Sequence, residues 1–177
     1  LLGIPAFHSC TAERAAIRNL MNGLLPPDSA MACNPYREWI GAQIRGDLFG
    51  YVCPGMPKKA ARLAWNDAAV SHTKNGIYGE MFIAALLSLC YVHTLSMAER
   101  VRLALLQIPA GSRLHQAIHA VLTRYAQGDS FDAVVNDVHA AYDEKIQFDW
   151  CLTIPNAMLV TACILWHGSY VDAVGGG

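Results

Sequence analysis

The sequence predicts an all-α fold, a compact orthogonal bundle of about eight helices in a single domain over residues 1–177. Three observations carry that expectation. Apolar residues recur at helical spacing almost throughout, with no convincing alternating strand. Residues suited to helix ends stand where the apolar pattern starts and stops. The chain is 54% hydrophobic and 15% charged, which implies either a large core for its length or apolar surface meant to be covered by something else.

The first expected helix covers 11–24, followed by a Pro-rich connection from Leu25 to Pro35. The second covers 36–51 and carries Gly41, Gly46 and Gly50. A glycine inside a helix costs about 1 kcal/mol relative to alanine, so three of them imply close approach by another backbone or a ligand. The third covers 57–73, with Pro57 at the first helical position, where its missing N–H is harmless. The fourth covers 77–94 and the fifth 97–108, opened by the capping box of Ser96 and Glu99. The sixth, 112–127, takes Ser112 as N-cap and Gly128 as its terminator. The seventh covers 130–142 behind Asp129, and the eighth covers 155–167 between Pro155 and Gly168. The residues from Val171 to Gly177 read as a short helix running into a glycine string, and Leu1–Pro5 as an apolar start. Nothing resembles an interdomain linker or an internal repeat.

Composition narrows the functional classes. The net charge is -1 and there is no basic cluster, which argues against nucleic acid as a partner. The pair Lys58-Lys59 reads as a solvated first helical turn. Residues Met81–Ala98 form an eighteen-residue stretch without formal charge, but polar residues and a helix start at Ser96 make it a buried core helix rather than a membrane span. The six cysteines form no C-x-x-C pair, so they read as reduced thiols of a cytoplasmic protein rather than a zinc site. His115 and His119 have i,i+4 spacing but lack a third ligand.

The candidate site is the stretch from Asn34 to Pro54, with Ser71-His72 and Asn75–Glu80 after it. Trp39, Trp65, Arg37, Arg45 and His72 read together as a wall of a small-molecule pocket built on helices. Arg45 offers a bidentate fork suited to phosphate, or else an ion pair with Glu38 or Asp47. His72 ends a helix, where a cation is favoured. Trp39 reads as a stacking surface or as core.

These segments resemble the ADP-ribosylglycohydrolase family, which includes the dinitrogenase reductase-activating glycohydrolases. Ile40–Arg45 is similar to the family's Asn-Gly-Ala-x-Met-Arg segment, with Ile40 in place of Asn. Pro54-Gly55-Met56-Pro57 resembles its Gly-Asp-Pro, and Ala68–His72 its helix ending in Thr/Ser-His. Thr153–Asn156 resembles the segment before a late helix. Trp166–Val174 resembles the Gly-x-x-Asp-Phe-x-x-Ala run that leads to Gly-Gly-x-Asp-x-Asp. The match places the chain as the middle portion of a longer family domain. It implies hydrolysis of the glycosidic bond between ADP-ribose and a protein or small acceptor, with Trp39, Ile40, Gly41, Arg45 and His72 binding ADP-ribose. It also implies two Mg2+ or Mn2+ ions in the full-length domain, held by Thr-Asp-Asp and Asp-x-Asp segments that this chain lacks. No metal ligand and no catalytic acid/base is therefore expected among these 177 residues, and no metal is expected to bind them. ADP-ribose or an ADP-ribosylated protein is the expected partner, together with self-association through uncovered apolar surface.

Overall fold

A computed structural model describes residues 9–143 and 145–175. It contains eleven α-helices and one 3-10 helix, with no strand among the described residues. Seven of the α-helices have seven or more residues. They are α1 (Thr11–Met21), α4 (Pro57–Ala68), α5 (Asn75–Leu89), α6 (Met97–Leu105), α7 (Arg113–Gln127), α8 (Phe131–Ala141) and α10 (Thr153–Trp166). The short helices are α2 (Asp28–Met31), α3 (Asp47–Tyr51), α9 (Gln147–Trp150) and α11 (Tyr170–Gly175). The expected short helix near Val171 is thus α11, while Leu1–Pro5 and the glycines past Gly175 lie outside the described residues. Among the described residues no helix is long and apolar enough to cross a membrane.

The helix α5 is the centre of the molecule. It buries residues around its whole circumference, from Ile77 and Gly79 through Phe82 and Ala85 to Leu89. A helix with no polar face is stable only when other elements surround it. Here α3, α4, α6, α7, α10 and the 3-10 turn pack against it. The largest core cluster joins Phe82 and Leu86 of α5 to Val101 and Leu105 of α6, Leu114 and Ile118 of α7, Val134 of α8, and Ile154 and Leu165 of α10.

The helix ends follow the chemistry read from the sequence at several points. Ser96 and Glu99 make the reciprocal capping box, with Ser96 N–H donating to Glu99 at 2.8 Å. Ser112 caps α7 through His115 N–H, and Gly128 ends it with a left-handed φ of 83°. Pro57 opens α4. Elsewhere the ends shift. Ser130 caps α8, because Asp129 instead accepts from Arg124 at 2.6 Å. Pro155 lies in the first turn of α10, two residues after its start at Thr153. α10 ends at extended His167, before Gly168.

The expected helix over 36–51 is replaced by turns, the 3-10 helix Gln43–Arg45 and the short α3. The glycines make a helix costly there, and tertiary bonds take the place of helical ones. Ile40 N–H donates to Cys151 O at 2.8 Å, and Trp39 pairs with Leu152 in an isolated antiparallel bridge. The Thr153 hydroxyl donates within 2.9 Å of both Glu38 O and Trp39 O. The segment is therefore clamped to the start of α10. Gly50 explains its tight seating on α5: a Cβ there would stand 2.5 Å from Leu87 Cβ and 3.0 Å from Ala84 O.

Candidate functional site

Trp39, Ile40 and Gly41 line one face of an open cavity of about 390 Å3. Ser9, Cys10, Thr11 and Glu13 from the start of α1, with Ile44 and Cys151, complete its wall. The sequence reading missed Glu13. Its carboxylate lies so close to Gly41 that a Cβ at that position would stand 2.5 Å from Glu13 Oε1. Gly41 thus serves the approach of a carboxylate, and that carboxylate borders the cavity.

Behind Glu13 stands Arg45, which makes a different set of bonds from those expected. Its Nη1 pairs with Glu13 Oε1, and its Nε donates to Asp67 Oδ2 of α4 at 2.6 Å. Its Nη2 donates to Ser71 Oγ at 3.0 Å. The guanidinium fork is spent on two carboxylates and a hydroxyl, neither Glu38 nor Asp47 among them. Burial opposes its charge, but the bond and charge of Asp67 outweigh this and the Arg45 pKa is raised.

His72 follows directly. Its Nδ1 lies 2.8 Å from Ser71 Oγ. Ser71 Oγ also accepts from Arg45 Nη2, so the contact ties the His72 ring to the Arg45 network and leaves Nε2 on the side of Glu13. That Nε2 has no hydrogen-bond partner and lies 4.0 Å from Glu13 Oε1. The ring is 1% exposed. Burial and then the Arg45 charge lower its pKa to about 3, with Asp67 partly opposing, so His72 is neutral at pH 7.

A further group is Glu80 on α5, which closes the candidate stretch Asn75–Glu80 but has no role assigned by the sequence. It is fully buried, and neither carboxyl oxygen has a hydrogen-bond partner. Burial, followed by the charge of Asp67, raises its pKa to about 9, with Arg45 partly opposing. A neutral carboxyl is what an apolar interior imposes on a glutamate lacking full compensation. The signal was present: Glu80 is the single charged residue of a fifteen-residue helix.

The structure therefore gathers Gly41, Arg45 and His72 around Glu13, with Trp39 and Ile40 lining the adjoining cavity. Trp39 packs against Tyr36 and Phe148 with ring centroids 4.7 and 5.4 Å apart, and its Nε1–H is buried without a partner. Arg37 and Trp65 do not join them. The Arg37 guanidinium donates to Asn34 O at 3.0 Å, and Trp65 lines a separate groove.

A divalent cation does not fit these groups. Among the described residues no set of three or more His, Cys, Asp or Glu side chains is placed to hold one. The nearest gathering of carboxylates, Glu13, Asp67 and Glu80, has the Arg45 guanidinium already paired with two of its members. Hard cations need several charged oxygens converging on one point.

No curated protein and no solved structure matches the chain. A family model does, over residues 3–175, and so covers the clamp at Thr153, the Glu13–Arg45–Asp67 network and the cavity beside Trp39. By that match the chain belongs to the ADP-ribosylglycohydrolase family.

Proposed function

We propose that this chain supplies the ADP-ribose-binding wall of a hydrolase that cleaves the glycosidic bond between ADP-ribose and a protein or small acceptor. One observation carries the reading. Trp39, Ile40, Gly41 and Glu13 share one cavity, which sets an indole and a carboxylate on the same wall. A cavity of about 390 Å3 is within the size range of small-molecule sites, roughly 300–1,000 Å3. Breaking a glycosidic bond builds positive charge on the sugar, and a carboxylate facing the cavity stabilises it. Glu13 is suited to that role, oriented by Arg45 and by the absence of a side chain at Gly41. Arg45 and His72 act as positioning residues behind it.

The family is metal-dependent in general, and the donor set here does not supply a metal site. We therefore expect this chain alone to bind ADP-ribose without hydrolysing its conjugates. The second reading, a non-catalytic ADP-ribose-binding or structural member, is favoured by the full engagement of Arg45 with protein carboxylates. A cytoplasmic setting is consistent with six free cysteines.

Calorimetric titration of ADP-ribose tests the assignment. Gly41→Ala displaces the Glu13 carboxylate, the far end of a flexible side chain, with little strain on the backbone. Trp39→Leu removes the indole N–H. Each is expected to weaken binding about tenfold, near 1.4 kcal/mol, with unchanged helix content by circular dichroism. Arg45→Ala is expected to lower the melting temperature as well, because it leaves Glu13 and Asp67 unpaired. Unaltered affinity in both Gly41→Ala and Trp39→Leu, or no binding by the parent, would overturn the assignment.

A further inference from the structure

A groove of about 790 Å3 runs between α4 and the end of α6. It shares no residue with the cavity at Glu13. Its apolar surface comes from Met56, Ala61, Trp65, Met81 and Leu106. Two of these are conspicuously uncovered, Trp65 at 48% and Leu106 at 72% exposure. Leu106 also borders a second depression of about 470 Å3 between α6 and α7, so the two join into one track across the surface.

The charge along this track is one-sided. Lys58, Lys59 and Arg62 rim the first part, and Arg102 rims the second beside the imidazoles of His115 and His119. No aspartate or glutamate lines either part. The chain as a whole has 13 Lys and Arg against 14 Asp and Glu, so its average composition does not account for the segregation. Lys58, Lys59 and Arg62 form no ion pair among the described residues. Two of them stand in the first turn of α4, where the helix dipole disfavours a cation. Unpaired cations in an unfavourable place, next to uncovered apolar side chains, are explained by a complementary anionic partner.

We propose that this track docks an acidic amphipathic segment of a partner protein. The two methionines and the tryptophan accept apolar anchor side chains, since thioethers adapt their shape and an indole offers a broad rigid face. The cations meet Asp and Glu on the flanks of the same segment. A concave, open track suits a helix laid into it, with anchors at i, i+3 or i+4 and i+7. A helix of about 15 residues is about 22 Å long, enough to follow α4 and pass Leu106.

The test is a display library of random peptides about 15 residues long, panned on the 177-residue chain. The expected result is enrichment of peptides rich in Asp and Glu, with Leu, Phe or Met at helical spacing. Their affinity should fall as salt is raised. It should drop about tenfold or more on the double variant Lys59→Glu/Arg62→Glu and on Leu106→Asp. All three positions are exposed, so both variants should fold like the parent by circular dichroism. Leu48→Asp, an exposed apolar residue away from the track, should bind the peptides like the parent. The proposal is overturned by no enrichment, by enrichment of basic or uncharged peptides, or by acidic peptides indifferent to both track variants. Two other occupants would also overturn it. One is phosphatidylserine vesicles, shown by co-sedimentation that the double variant abolishes when no peptide is enriched. The other is a second copy of the chain, shown by self-association that Leu106→Asp abolishes.

Discussion

Two buried side chains, His72 and Glu80, hold the protonation states that their surroundings impose, and this makes stability depend on pH in both directions. His72 has a folded pKa near 3 against 6.5 for the free side chain. The stability tied to its neutral form is complete above pH 6.5 and is lost as pH falls toward about 3. Glu80 behaves in the opposite sense, with a folded pKa near 9 against 4.5. Its contribution is complete below pH 4.5 and is lost as pH rises toward about 9. Between 4.5 and 6.5 the two slopes oppose each other, each near 1.4 kcal/mol per pH unit. Maximal stability is therefore expected between about pH 4.5 and 6.5, below neutrality. Glu80→Gln, which cannot ionise, should flatten the alkaline limb and leave the acid limb in place. Urea unfolding followed across pH checks this; an alkaline limb of equal slope in Glu80→Gln would contradict it.

At the scale of elements, the segment 36–51 shows how tertiary bonds displace a helix. Its apolar spacing is helical, but three glycines weaken that preference by about 1 kcal/mol each. The backbone carbonyls of Glu38 and Trp39 then find the Thr153 hydroxyl, and the Cys151 carbonyl takes the Ile40 N–H. Thr153 is fully buried, so removing its hydroxyl takes a bond from the Trp39 carbonyl, while Glu38 O keeps the Thr153 N–H. Thr153→Val keeps the shape and is expected to cost about 1–3 kcal/mol. It should also weaken ADP-ribose binding, because Trp39 and Ile40 depend on the clamp. Denaturation and titration of the same variant check both; loss of stability with unchanged affinity would separate the clamp from the site. The helix termini were more legible. Ser96, Ser112 and Gly128 act where the sequence places them, because a cap is a local bond between residues three or four apart.

At the scale of the whole molecule, the chain is a helical shell around α5 with its cavity wall on one side of the Arg45 network. No metal-holding group is present among the described residues, and the chemistry expected of the family needs one. Purified free of other hydrolases, the 177-residue chain is expected to release no ADP-ribose from an ADP-ribosylated protein with either Mg2+ or Mn2+. Measurable release would show that the described side chains suffice for catalysis.

The all-α class, most of the long helices, three of the caps and the family were legible in the sequence, because helical period and capping are properties of neighbours along the chain. The site was legible only in part. Trp39, Ile40 and Gly41 stand together in the candidate stretch, and the structure gives them a shared cavity. Glu13 and Asp67 were not legible, since nothing local marks a carboxylate that meets an arginine 32 or 22 residues away, and Glu80, though inside the candidate stretch, gains its role only from burial. Only the packing of α1 and α4 around the glycine-bearing segment decided that Arg45 binds protein carboxylates. Burial then made His72 and Glu80 neutral. Sequence sets the residues and their local preferences; distance and dielectric, which govern charge, exist only after the helices have packed.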